Sequence, residues 1–178
     1  YLLTARSGNT GGMTWEAAGG GFTLETAQSV TSGTGVTFTG IPSGVSLIIV
    51  TFKQVSFDNA THLQVQIGDS GGIETSGYDG IRGYFRASGT TNVGGFSDSF
   101  ECQLNDAAIS ASGSYIITSL DPSSNSWTYS VTAGAADGTS QVMVGGGHKS
   151  LSGTLTQLKV SPGSGNFDGS GTVNIMYQ

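Results

Sequence analysis

The sequence predicts an all-β fold, an antiparallel β-sandwich of jelly-roll type whose two stacked sheets are built from about ten strands. Two observations predict it. No stretch of ten residues carries apolar side chains at three-and-four spacing without a glycine or paired β-branched residues interrupting it, so no long helix is expected. Short β-rich runs instead recur between glycine and serine clusters, which is the spacing of a sandwich or barrel rather than of strand-helix-strand units.

Along the chain, residues 1–21 hold Leu2, Leu3, Met13 and Trp15 among glycines, too few apolar positions for a core of their own. Such a segment orders only by docking elsewhere. A strand is expected at Gly35 to Ile41, and the strongest one at Val45 to Phe57. There Leu47, Ile48, Ile49 and Val50 are apolar in succession, and Phe52, Val55 and Phe57 continue the run. A continuous apolar strand wants burial on both faces, one in the domain core and one beneath a second cover. Leu63, Val65 and Ile67 alternate with Gln64 and Gln66, a strand with one wet face. Trp127, Tyr129 and Val131 alternate in the same way, as do Val142 and Val144, then Val173, Ile175 and Tyr177. Further strands are expected at Ser97 to Leu104, Ser114 to Leu120 and Leu151 to Val160. Ser70 to Gly95 is weakly patterned and glycine-rich, and reads as a long functional loop.

Composition narrows the function. The chain has 178 residues, enough for one domain with a real core. A formal charge of −6 has the wrong sign for binding a nucleic-acid backbone. The longest apolar run, Leu47 to Val50, is far short of the ~18 residues of a membrane span, so no membrane insertion is expected. No basic-then-apolar leader opens the sequence, and secretion by the usual route is not expected. The single Cys102 allows no internal disulfide and no multi-cysteine zinc site.

Chemistry-bearing patterns are few. Gly68-Asp69-Ser70-Gly71-Gly72 reproduces the nucleophile motif of chymotrypsin-like proteases, but the only upstream histidine, His62, is eight residues away, and one strand cannot place both partners of a triad that way. The glycines there serve more simply as a turn. Asp69, Glu74 and Asp79 are oxygen ligands of the calcium type without an EF-hand pattern, and read as solvated loop carboxylates. His62 and His148 are two histidines without a cysteine or close carboxylate, a weak transition-metal signal. Asp98, Glu101 and Asp106 show no pairing suited to glycoside hydrolysis. The expectation is therefore a protein that is not an enzyme and holds no cofactor or metal. The aromatic stretch is more suggestive. Tyr78, Tyr84, Phe85 and Phe96, with Asp79, Arg82, Arg86 and Asn92 among them, combine flat apolar faces with hydrogen-bonding edges, a mixture suited to recognition. Tyr78, Asp79, Arg82, Tyr84, Phe85, Arg86 and Asn92 are the expected binding residues.

Three groups of residues resemble a known family. Tyr1-Leu2-Leu3-Thr4, Gly8 and Trp15 leading into Ala17-Ala18-Gly19-Gly20-Gly21 resemble the segment that ends the shaft of tailed-phage tail fibres. Phe38-Thr39-Gly40-Ile41-Pro42-Ser43-Gly44-Val45, the run from Leu63 to Gly68, and Gly71-Gly72-Ile73-Glu74-Thr75-Ser76-Gly77-Tyr78 are similar to the head domain of such fibres and of related prophage proteins. Gly145-Gly146-Gly147, Lys149-Ser150-Leu151-Ser152-Gly153-Thr154-Leu155, Phe167-Asp168 and Val173-Asn174-Ile175-Met176-Tyr177 resemble that family's closing hairpin. Positions 79 to 96 and 105 to 140 match no such pattern, as variable tip loops would not.

The resemblance implies a homotrimer at the distal end of a fibre, made in the bacterial cytoplasm and assembled into a virion. Residues 1–21 would end the shaft and residues 22–178 form the head, a receptor-binding adhesin for a bacterial surface glycan or outer-membrane protein. The alternative is a structural fibre-tip or baseplate module without receptor contact. In a threefold assembly, alternate residues from Leu47 to Phe52 would face the core and the others a neighbouring subunit. The pattern does not distinguish the two sets. Leu2, Leu3, Trp15, Ile48, Val50 and Phe52 are the expected subunit contacts.

Overall fold

The computed structural model describes the backbone of Leu2–Ala5 and Met13–Glu16 and, with side chains, residues 21–104, 106–107, 109–136 and 140–178, Pro122 by its backbone alone. Leu2–Ala5 (β1) and Met13–Glu16 (β2) pair antiparallel, setting Leu3 opposite Trp15. The side chains of Leu2, Leu3 and Trp15, expected at a subunit contact, lie outside the described residues.

The rest is a two-layered, all-β structure of two antiparallel sheets, as the patterning predicts, with fourteen strands among the described residues where about ten were expected. The strands are β3 (Thr23–Leu24), β4 (Gln28–Val30), β5 (Val36–Thr39), β6 (Leu47–Val55), β7 (His62–Asp69), β8 (Gly72–Ile73), β9 (Tyr78–Arg86), β10 (Thr91–Phe96), β11 (Phe100–Gln103), β12 (Ala111–Asp121), β13 (Ser126–Ala135), β14 (Gln141–Ser150), β15 (Gln157–Pro162) and β16 (Gly171–Tyr177). The nine-stranded sheet runs β10-β9-β14-β13-β12-β6-β16-β3, with β4 also on β16. The five-stranded sheet runs β11-β7-β15-β5, with β8 on β7.

The core lies between the sheets. Ile48, Val50 and Phe52 of β6 meet Tyr115 and Ile117 of β12, Tyr129 and Val131 of β13, and Leu63, Val65 and Ile67 from the smaller sheet. Three tyrosines of the large sheet cross this space and bond the backbone of the small one. Tyr115 donates to the Leu63 carbonyl at 2.7 Å, Tyr129 to the Glu101 carbonyl at 3.2 Å, and Tyr78 accepts from the Ile67 amide at 2.8 Å. Burial pushes all three phenols above their ordinary pKa, so each stays protonated and able to donate. Phe100 of β11 stacks on Tyr129 with ring centroids 4.4 Å apart and meets Tyr78 edge-on at 5.0 Å.

Two expectations are corrected. The stretch from Ser70 to Gly95 is no long loop: it holds β8, β9 and most of β10, and β9 pairs with β14 along its whole length, Arg86 opposite Gln141 through Tyr78 opposite Lys149. Glycine hid the strand, because here it makes sockets rather than turns. A Cβ on Gly80 would lie 2.1 Å from the Phe96 ring, so the aromatic residue of β10 occupies the space of the missing side chain. Second, Ile48, Val50 and Phe52 are buried in the chain's own core and are not free to meet another subunit. The alternate residues Leu47, Ile49 and Thr51 point the other way and are half-buried.

That other way is the face of the nine-stranded sheet that no described residue covers. Register places Leu24, Met176, Ile49, Ile116, Ser130, Gly146, Ile81 and Gly95 side by side across eight strands. The adjoining row runs Asn174, Thr51, Ser114, Thr132, Val144, Gly83 and Val93. Neither row carries a charged residue.

Candidate functional site

β9 alternates, and its alternation divides six of the seven residues expected to bind, Asn92 lying on β10. Asp79 and Phe85 project from the uncovered face, while Tyr78, Arg82, Tyr84 and Arg86 turn toward the smaller sheet. Tyr78 and Tyr84 are only 3% and 5% exposed, so neither offers a ring to a ligand. Tyr78 is the inter-sheet tie described above. Tyr84 supports Arg86, whose guanidinium carbon stands 4.7 Å above its ring.

Arg82 belongs to a polar layer between the β9–β10 hairpin and the edge of the small sheet. Its guanidinium pairs with Glu101, donates to the Gly95 carbonyl at 2.9 Å, and lies 2.7 Å from His62 Nε2. Gln64 bonds Glu101 at 3.2 Å, and Gln103 donates to Asn92 at 2.8 Å. Because a guanidinium has only donors, His62 Nε2 must accept and the ring is neutral. Burial, then the adjacent Arg82, lowers the His62 pKa to about 4. Burial raises the Glu101 pKa despite the opposing charge of Arg82. Arg82 and Asn92 are thus occupied internally, and the seven residues do not form one site.

Two of them, Phe85 and Arg86, do meet at a concavity. The ends of β6, β9 and β13 and the beginnings of β12 and β14 gather around an open groove of about 870 Å³. Phe85 and Val142, each about half exposed, form its apolar side together with Ala87, Ala135 and Ala136. Gln54, Ser110, Ser112, Ser140, Gln141 and Arg86 supply hydroxyl, amide and guanidinium groups. Arg86 is held in place by Gln141 at 3.1 Å and by Asp106 at 3.9 Å. Gln141 is itself fixed through its amide to the Leu104 carbonyl at 3.1 Å. Gln54 sits at a bulge in the β6–β12 ladder with φ of 52°, an uncommon conformation for a residue with a side chain, and its amide bonds Ser112 Oγ at 3.0 Å. The groove thus combines one flat ring with a border of fixed polar groups.

Sequence reasoning missed Gln54, Ser112, Ser140 and Gln141. Lys53-Gln54, two polar residues interrupting the apolar run of β6, is the one local sign of the bulge. The serines are indistinguishable from those of ordinary turns, and the groove exists only because five strand ends converge.

The catalytic and metal patterns are dispersed by the fold. His62 and Asp69 stand at opposite ends of β7, roughly 24 Å apart at about 3.4 Å per residue, so His62 is no base for Ser70. His148 projects from the uncovered face and His62 lies in the polar layer behind that sheet. Asp79 is separated from Asp69 and Glu74, which instead converge on Ser152: its hydroxyl lies 2.8 Å from both carboxylates, its amide donates to Glu74 at 2.7 Å, and Lys149 pairs with Glu74. Burial works upward on the Glu74 pKa, but the hydrogen bonds from Lys149 and Ser152 prevail and hold it below its ordinary value. This is a charge-compensated latch between the β8 turn and the loop after β14. Among the described residues no group of three or more His, Cys, Asp or Glu is placed to hold a metal ion. Asp98, Glu101 and Asp106 do not face one another as a pair: Glu101 answers Arg82, Asp106 answers Arg86, and the Asp98 carboxylate accepts from Ser99 at 3.2 Å. Burial pushes the Cys102 thiol up to about 12, which leaves it unreactive at neutral pH. Compared with models of known protein families and with curated proteins, the chain matches none.

Proposed function

We propose that this chain is a non-enzymatic adhesin, the receptor-binding head of a tailed-phage fibre, carried as a homotrimer of jelly-roll type heads at the fibre tip in the virion. Residues 1–21 would be the end of the shaft. The family resemblance supplies the setting, and the two-sheet sandwich agrees with it. The observation that carries a binding role is the groove at the end of the large sheet, which exposed Phe85 lines together with Gln54, Ser112, Ser140 and the braced Arg86.

A bacterial surface glycan suits that groove. The C–H face of a sugar packs on a flat ring, and its hydroxyls exchange bonds with short polar side chains held in fixed positions. Arg86 adds a local positive charge on a protomer of net charge −6, which serves where the glycan carries carboxylates. Individual contacts of this kind are weak, and three copies on one fibre raise avidity without tighter single sites. An outer-membrane protein is the other receptor class that such a groove serves.

The test is labelling of susceptible bacterial cells by fluorescently tagged protein. Wild type should label, and Phe85→Ala should lose at least tenfold in apparent affinity while its β-sheet circular dichroism and mass in solution stay unchanged. Undiminished labelling by that variant removes the groove from the reading. Failure of the wild type to label any susceptible strain favours the structural-module alternative, which the extensive uncovered apolar face of the large sheet also supports.

A further inference from the structure

The groove occupies only one end of the large sheet, and among the described residues nothing covers the rest of its outer face. We infer that this face is the surface by which copies of the chain join, each protomer turning its nine-stranded sheet toward a common axis; the inference rests on the homotrimeric reading above and specifies the contact that makes it. Ile116, Ile81, Val93 and Val144 are exposed there and Ile49 is half-buried between them. All belong to the two adjoining rows that contain no charge.

Size and charge both select a second copy. Seven inter-strand spacings of about 4.8 Å make the longer row roughly 34 Å long, and three outward rows clear of the groove, about 6.8 Å apart, give a face on the order of 700 Å². A protomer of a trimer meets two neighbours, so this face, somewhat below the share of about 800 Å² that one partner contributes to a standard stable interface, is shared between two contacts. The charged residues in the ladders of this face lie at its margins, Lys53 of β6 on one side and Asp79 of β9 and Asp121 of β12 on the other, so the two signs stand on opposite outer rows. A rotated copy can therefore set one against the other, whereas a partner of either net charge gains little from so neutral a surface. The small residues Gly95 and Gly146 between the branched ones leave recesses for the knobs of an identical face.

Multi-angle light scattering at micromolar concentration tests this on the whole chain. Wild type should show about three chains of 18.0 kDa. Ile81→Asp with Val144→Asp should reduce the mass threefold while circular dichroism stays β-type, and Thr37→Asp, exposed on the small sheet, should leave the trimer intact. Hydroxyl-radical footprinting of wild type gives a second readout that needs no variant. Met176 and Val93 on the face should be protected relative to exposed Leu120 at its margin. A trimer that survives the double substitution, with Val93 oxidised as readily as Leu120, overturns the inference and leaves the trimer standing. A wild-type mass of one chain overturns the homotrimer and this interface together.

Discussion

The two faces of the nine-stranded sheet use the same strands and the same alternation, yet they are built on different principles. The inward face is tall and tied: Tyr78, Tyr115 and Tyr129 span to the small sheet and end on its backbone, with Phe100 stacked among them. The outward face is short and untied, rich in Ile, Val, Thr, Ser and Gly, and among the described residues nothing packs above it. The difference teaches that an apolar strand can satisfy one layer completely while its second side remains a surface feature. In β6, Ile48 and Val50 complete the core while Ile49 between them stays half-buried on the outward face.

The largest effects should come from the inward face. Phe100→Ala should cost about 3–5 kcal/mol in urea unfolding, because it removes a fully buried ring that stacks on one tyrosine and edges another. Tyr115→Phe is smaller, about 1–3 kcal/mol, since packing is kept and the Leu63 carbonyl loses its donor. Ile116→Ser on the outward face should change the chain's own unfolding free energy by no more than about 0.5 kcal/mol, measured at a concentration where light scattering gives the mass of one chain. A large loss there would mean that the outward face is covered by the chain itself, and the comparison would break.

The polar layer sharpens the same contrast by acidity. The folded-state pKa of His62 is depressed from 6.5 to about 4, so between those values the unfolded chain binds a proton that the folded chain refuses. Stability should fall as pH drops through that window. Glu101, whose pKa is raised by burial, acts in the opposite direction. His62→Gln removes only the first contribution, so its urea midpoint should fall less between pH 7 and pH 4.5 than that of wild type. An NMR titration placing His62 near 6.5 would contradict the buried, accepting ring.

Much of the fold was legible because alternation is a direct imprint of a sheet with one covered face. Leu63, Val65 and Ile67 against their glutamines, and Trp127, Tyr129 and Val131 against their hydroxyls, lie where the pattern put them, on the inner faces of β7 and β13. β9 was illegible because Gly80 and Gly83 stand where apolar residues would mark the period; their partners, the Phe96 ring and the β10 backbone, lie on another strand. The site was half legible. Tyrosine reads the same whether its hydroxyl meets a ligand or a buried carbonyl, so Tyr78 and Tyr84 looked like Phe85. Only the pairing of β9 with β14 separates them.

The tyrosine ties also bear on how strands find their partners. A phenol has a fixed reach, and each of the three finishes on a particular peptide group of β7 or β11. Were β7 to shift by one residue, its side chains would change sides and Leu63 and Ile67 would no longer present the same groups to Tyr115 and Tyr78. The three rings therefore act as gauge blocks, accepting a single alignment of the opposing layer and penalising every misthreaded one.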